Sequence, residues 1–219
     1  MYPDIDCVFD MENGKYNTLV IENQHLFAAL LQDVYDQIEG RAGRCVLSQS
    51  HTPIAMDRYA EILDVFVPFS LNRRTLLGKI TAAIEREALE ASHYEQTIQV
   101  LQDIETLLDD VAFRFPCDLV YSKINIGSII KACGIEVRDD SGRIGERVID
   151  YMELVTEFDR EKLFLTVNMR SFVSDEEMQL FADTAVSHGF QVLALENCEH
   201  PLLNNELRWT VDADLCEIG

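Results

Sequence analysis

The chain has 219 residues, 47% of them apolar and 26% charged, enough to bury one large core or a compact domain carrying an inserted subdomain. Thirty-nine acids against eighteen bases give a formal net charge of −21, a field that taken whole repels phosphate backbones and anionic membranes. The opening MYPDIDCVFD has no basic or apolar leader region, and no run approaches eighteen apolar residues, so neither a secretion signal nor a membrane span is predicted.

In chain order, YNTLVIEN (16–23) is an apolar run predicted as a strand, and it leads into a helix in which Leu26, Leu30, Val34 and Ile38 recur at helical spacing. Gly40 and Gly43 stop that helix. GRCVLSQS (43–50) is predicted as a second strand and AEILDVFVPFS (60–70) as a third, closed by Pro68. Residues 71–114 hold no proline and one glycine, Gly78, and their apolar residues follow a 3.6 period. Two long helices meeting near Ser92–His93 are expected, as an antiparallel hairpin or one kinked rod. A short helix then ends at Gly134, and GERVIDYMELVTEF (145–158) forms another. KLFLTVN (162–168) is a buried strand, and SDEEMQLFADTAVSHG (174–189) is a helix with Ser174 and Glu177 as a capping box. FQVLALEN (190–197) is a further strand and ELRWTVDAD (206–214) an edge strand. Strands alternating with helices imply an α/β fold with a mostly parallel sheet: a head from 1–70 and 159–219, and a helical insertion from 71–158.

Chemistry-bearing motifs are scarce. The first strand–helix turn, IENQHLF (21–27), lacks glycine, and the Gly78–Lys79 pair is followed by Ile80, so neither a phosphate cradle nor a magnesium-binding hydroxyl is present. The five histidines have no acid or thiol partner at motif spacing. Asp109–Asp110 and Asp139–Asp140 are weighed as cation ligands but fit solvated faces. The six cysteines include no C-x-x-C pair, which argues against zinc and redox dithiols; Cys45, Cys133 and Cys198 lie in apolar runs and are expected in the core. The expectation is a cytoplasmic protein with reduced thiols.

Positive charge, by contrast, is segregated. Arg41 and Arg44 stand without an acid between Gly40 and Met56, as do Arg73, Arg74 and Lys79 between Pro68 and Ile84. From Arg114 to Arg147 six bases face five acids, whereas Glu85–Val111 carries eight acids and one base. Such islands on an acidic background either are ordinary solvated faces or form an anion-binding surface.

The stretches SIIKACGIEV (128–137), RIGERVIDYMELVTEFDREKLFLTVNMRSFVSDEEMQLF (143–181) and FQVLALEN (190–197) carry a resemblance by their joint order and spacing. EILDVFVPFSLNRRTLLGKI (61–80) matches in position and character. The chain resembles the short form of the CRISPR-associated adaptation proteins of type II-A systems, the ring-forming, DNA-end-binding Csn family. That resemblance implies a head similar to P-loop ATPases but without their phosphate loop, a helical leg, and a homotetrameric ring. It further implies no enzymatic activity, and sequence-independent binding of double-stranded DNA ends during spacer acquisition, beside the CRISPR integrase and effector nuclease. Lys131 falls on the family's Lys-x-x-Gly position facing the hole; Arg138, Lys123 and Arg143 lie close to it in sequence, and Arg41, Arg44, Arg73 and Arg74 are further DNA-contact candidates.

The chain departs from that family at one stretch. The family carries a calcium-binding acid cluster just before the Lys-x-x-Gly helix, whereas PCDLVYSKIN (116–125) keeps only Asp118, with Val120, Ser122 and Lys123 where acids are expected. Two other readings remain open on sequence: an acidic protein-interaction scaffold with incidental DNA contact, and a degenerate ATPase that still holds nucleotide.

Overall fold

The computed structural model describes residues 1–138 and 142–219. A six-stranded sheet has the order β4 (Ala60–Leu63), β5 (Leu163–Val167), β6 (Gln191–Glu196), β1 (Tyr16–Ile21), β7 (Glu206–Val211), β8 (Glu217–Ile218). The first five strands are parallel and β8 is antiparallel on β7. Every residue of β1 and β5 is buried, as expected for parallel strands covered on both faces.

One face is covered by α1 (Gln24–Ile38), whose Leu26, Phe27, Leu30 and Val34 pack on Leu19, Ile21, Leu165 and Leu195. Burying such leucines stabilises by roughly 2 kcal/mol each. The other face carries α7 (Asp175–Ser187), where Phe181 meets Tyr16 edge-on at 6.1 Å. α6 (Ile144–Thr156) packs on α7 and buries Val148, Ile149, Tyr151, Met152 and Val155.

Several sequence expectations are corrected. The strand expected over 43–50 shrinks to β2 (Leu47–Gln49), paired only with β3 (Thr52–Ile54) in a separate hairpin. Ser50 and His51 both take positive φ there, the geometry of a two-residue hairpin turn that matches strand twist. The strand over 60–70 ends at Leu63; beyond it Phe66 and Phe69 are buried but Val65 and Val67 are exposed, so strand pairing stops while the aromatics stay anchored. β7 is not the edge, because β8 pairs with it. The capping box is half made: Ser174 accepts from the Glu177 amide at 3.2 Å, but the Glu177 carboxylate accepts the Gly145 amide of α6 at 2.8 Å. Cys133 and Cys198 are exposed rather than core, whereas Cys45 is half-buried and packs against the core cluster.

The chain divides into two compact units, Met1–Leu71 with Asp140–Gly219, and Asn72–Asp139. The second is shorter than the predicted 71–158 insertion, since the apolar face of α6 belongs with α7 on the sheet. It contains α3 (Arg74–Ala88), α4 (Tyr94–Ala112) and α5 (Ile126–Ala132). The break between α3 and α4 is tied by the Thr97 hydroxyl, which donates to the Ala88 carbonyl at 2.7 Å. No described helix is long and apolar enough to cross a membrane.

Candidate nucleic-acid interface

The second unit concentrates the bases. Residues 72–138 hold eight of the eighteen bases but only ten of the thirty-nine acids, whereas the rest of the chain carries ten bases against twenty-nine acids. Anion binding is therefore far less opposed here than elsewhere.

Within this unit, α5 packs on α3. Asn125 caps α5 by accepting the Ser128 amide at 2.8 Å, and Gly134, at φ 62°, ends it in the left-handed region that favours glycine. Gly127 lies against α3, the position of an added Cβ being 2.5 Å from the Glu85 carboxylate. Just before α3, Asn72 makes a reciprocal pair with Val137, donating to its carbonyl at 3.0 Å and accepting its amide at 2.7 Å. These two anchors run α5 back along α3, so Arg138 is brought beside the Arg73–Arg74 pair, and Lys131 lies between the anchors on the exposed last turn of α5.

Arg73 is the N-cap of α3 and Arg74 its first residue, and the helix's own first turn holds no acid. Cations oppose the helix dipole at that end, so the dipole does not account for the pair. Lys131 in the last turn of α5 does favour its helix, which is its purely structural role. Lys123 is exposed in the irregular stretch before α5.

The remaining candidates lie in the first unit. Arg41 is paired with Asp36 and Glu39. Arg44 is paired with Asp33 and Asp4 at 2.8 Å each and lies 4.7 Å from the centre of the Tyr2 ring. The Tyr2 hydroxyl and Arg44 hold the Asp33 carboxyl below its ordinary range. A phosphate at either arginine has to displace carboxylates. Arg143, at the start of α6, borders a pocket of about 180 Å³ that also contains Glu146, Asp150 and Glu177, an environment that resists anions.

Asp118 is exposed, and among the described residues no three His, Cys, Asp or Glu side chains gather to hold a metal. One carboxylate falls short of the six to eight oxygens calcium takes, so the residues present do not fit the calcium site the resemblance implies. Asp109 instead accepts the Tyr121 hydroxyl at 2.6 Å, and the Asp139–Asp140 pair lies outside the described residues.

At the first strand–helix turn, the Asn23 side chain accepts the Leu26 amide at 3.0 Å and donates to the Ala213 carbonyl, so the chain itself occupies the helix end where a phosphate cradle sits. Two arrangements escaped the sequence. His200 Nε2 lies 3.4 Å from Cys198 Sγ and 3.9 Å from Glu196 Oε2. One nitrogen facing both groups makes no proton relay, which needs the two ring nitrogens in separate roles. Arg170 and Glu196 are buried charges at the end of the sheet; their only sequence signal is a charged residue closing an otherwise apolar strand.

A family model for the CRISPR-associated protein Csn2 (Cas_Csn2) matches residues 37–215. The chain belongs to the CRISPR-associated Csn2 family. The Csn2 match spans both compact units, and membership supports a role in CRISPR adaptation. Among solved structures, the fold is similar to that titled "Crystal structure of Stu0660 of Streptococcus thermophilus", with a TM-score of 0.56 at 9% identity. That match covers 84% of this Csn2 chain and 64% of the solved one, and at this identity it speaks for the fold alone.

Proposed function

We propose that the chain is a non-catalytic, sequence-independent binder of double-stranded DNA ends, acting as a homotetrameric ring during spacer acquisition with the CRISPR integrase and effector nuclease. The observation that carries this reading is the Asn72–Val137 pairing, which gathers Arg73, Arg74 and Arg138 on a nearly neutral unit of a Csn2-family chain. Phosphate contacts of this kind fix position without reading sequence, and a ring repeats each contact fourfold. Self-association is supported by apolar surface in the same unit: Leu107, Val111, Phe113, Phe115, Leu119 and Val120 are all exposed, Phe113 at 93% and Val120 at 95%.

The test is a mobility-shift series on linear and closed-circular duplex of equal sequence across rising salt. Preference for the linear form, with affinity falling as salt rises, is expected. Equal binding to both forms, or indifference to salt, overturns threading of an end through a ring.

The twenty-nine acids outside residues 72–138 favour a second reading, an acidic scaffold for the adaptation proteins with incidental DNA contact. Charge reversal at Lys131 and Arg138 separates the two, since a scaffold keeps spacer acquisition and its partners while a DNA-end binder loses acquisition. Retained nucleotide binding is tested by a thermal shift with ATP and magnesium, where no shift is expected.

A further inference from the structure

Among the described residues, six buried side-chain polar atoms make no hydrogen bond of full geometry within the protein: Tyr16 Oη, Thr18 Oγ1, Thr166 Oγ1, Arg170 Nε and Nη1, and Glu196 Oε2, with Tyr16 Oη and Thr166 Oγ1 facing each other as a loose pair. Buried polar groups are costly when unpaired, and in folded chains nearly all are satisfied by protein or by ordered water. These six are not scattered. Thr18 and Thr166 lie in register on either side of Ala194 across three adjacent strands. Tyr16 precedes Thr18 by two residues and Glu196 follows Ala194 by two, so all four polar side chains share one sheet face, the face that Phe181 covers.

Ala194 adds only a methyl group between the two threonines. Arg170 closes the arrangement from the turn after β5, with its backbone amide donating to Glu196 Oε1 at 3.3 Å. Its Nη2 is engaged with Asp175 Oδ1 and the Pro201 carbonyl, both at 2.9 Å, leaving Nε and Nη1 for the interior. Arg170 is 6% exposed and Glu196 1%, so neither reaches bulk solvent.

The unmet groups define the occupant: two N–H donors, one carboxylate acceptor, and three hydroxyls that do either. A cation is repelled by the guanidinium, and an anion is repelled by Glu196 once its carboxyl ionises, above about pH 7. Water, with two donors and two acceptors and so at most four bonds to a molecule, meets the set when more than one molecule shares it. We propose that internal water binds here, bridging Arg170 to Glu196 over Ala194 and closing a network through Tyr16, Thr18 and Thr166. Such water fastens the Met169–Ser171 turn and the β6–β7 connection to the carboxyl end of the sheet, beyond anything DNA binding requires.

A high-resolution crystal structure of the wild-type chain, with melting curves of Thr18→Val and Thr166→Val, tests this. Expected are ordered water within hydrogen-bond distance of at least Arg170, Glu196 and one threonine, and a melting temperature lower by roughly 2–4 °C in each variant. A dry pocket, or valine variants that melt at or above the wild type, overturns the proposal. So does an adventitious ion in place of water, read as anomalous density or as melting that shifts when chloride is exchanged for acetate at fixed ionic strength.

Discussion

Glu196 shows at the residue scale how burial sets chemistry. Desolvation raises its carboxyl from an ordinary 4.5 to about 7, against the opposing pull of the Arg170 and Met169 amides and the Arg170 guanidinium, with Glu206 adding to the rise and His200 nearby. The folded chain therefore holds this proton more tightly than the unfolded chain does. The stability it lends is whole below about 4.5 and is lost as pH climbs through about 7. The loss is on the order of 3 kcal/mol. Comparing Glu196→Gln with wild type in denaturant melts from acid to neutral pH isolates this contribution, and the variant should lack that downward slope. At Lys131 and Arg138, reversal to Glu should cut duplex affinity at least tenfold and flatten its salt dependence by about one unit of slope for each phosphate no longer neutralised, checked by titration across salt. The arginine and lysine islands were legible because charge segregation needs no fold. Glu196 and Arg170 were not, because a sequence does not say that the residue ending an apolar strand stays under cover. Cys133 and Cys198 misled for the mirror reason: apolar neighbours in sequence do not bury a residue whose own side chain faces out.

The elements show which local signals govern. The helical period of α1, α3, α4 and α7 was readable, because each helix keeps one apolar stripe. The β2–β3 hairpin was hidden, since Ser50 and His51 adopt positive φ without the Asn-Gly or Asp-Gly pair that usually announces it. The insertion boundary was misplaced because α6 has the same period as its predecessors; only its packing on α7 assigns it. Two side chains that join elements give direct tests. Asn72→Ala removes both bonds to Val137 and should cost about 1–2 kcal/mol in denaturant melts while weakening duplex binding, although residue 72 carries no charge. Glu177→Ala strips the Gly145 amide of its acceptor at the start of α6 and should cost about 2 kcal/mol with duplex binding unchanged.

For the whole molecule, the α/β class and the interrupting helices followed from the alternation of strands and helices, whereas strand order depends on register and did not. Metal dependence, too, belongs to the scale of the whole molecule. With Asp118 alone in its stretch, isothermal titration should give no tight calcium binding, and the solution mass should be the same with a chelator as with calcium. The division of charge between the two units has a further consequence for how assembly and binding respond to their medium. In the proposed ring, chains that carry most of their acids outside residues 72–138 repel one another, and dissolved ions weaken that repulsion. The same ions compete with arginine and lysine for the duplex. Capture of DNA ends by the assembled form should therefore rise and then fall along an ionic-strength series, with an optimum at intermediate salt.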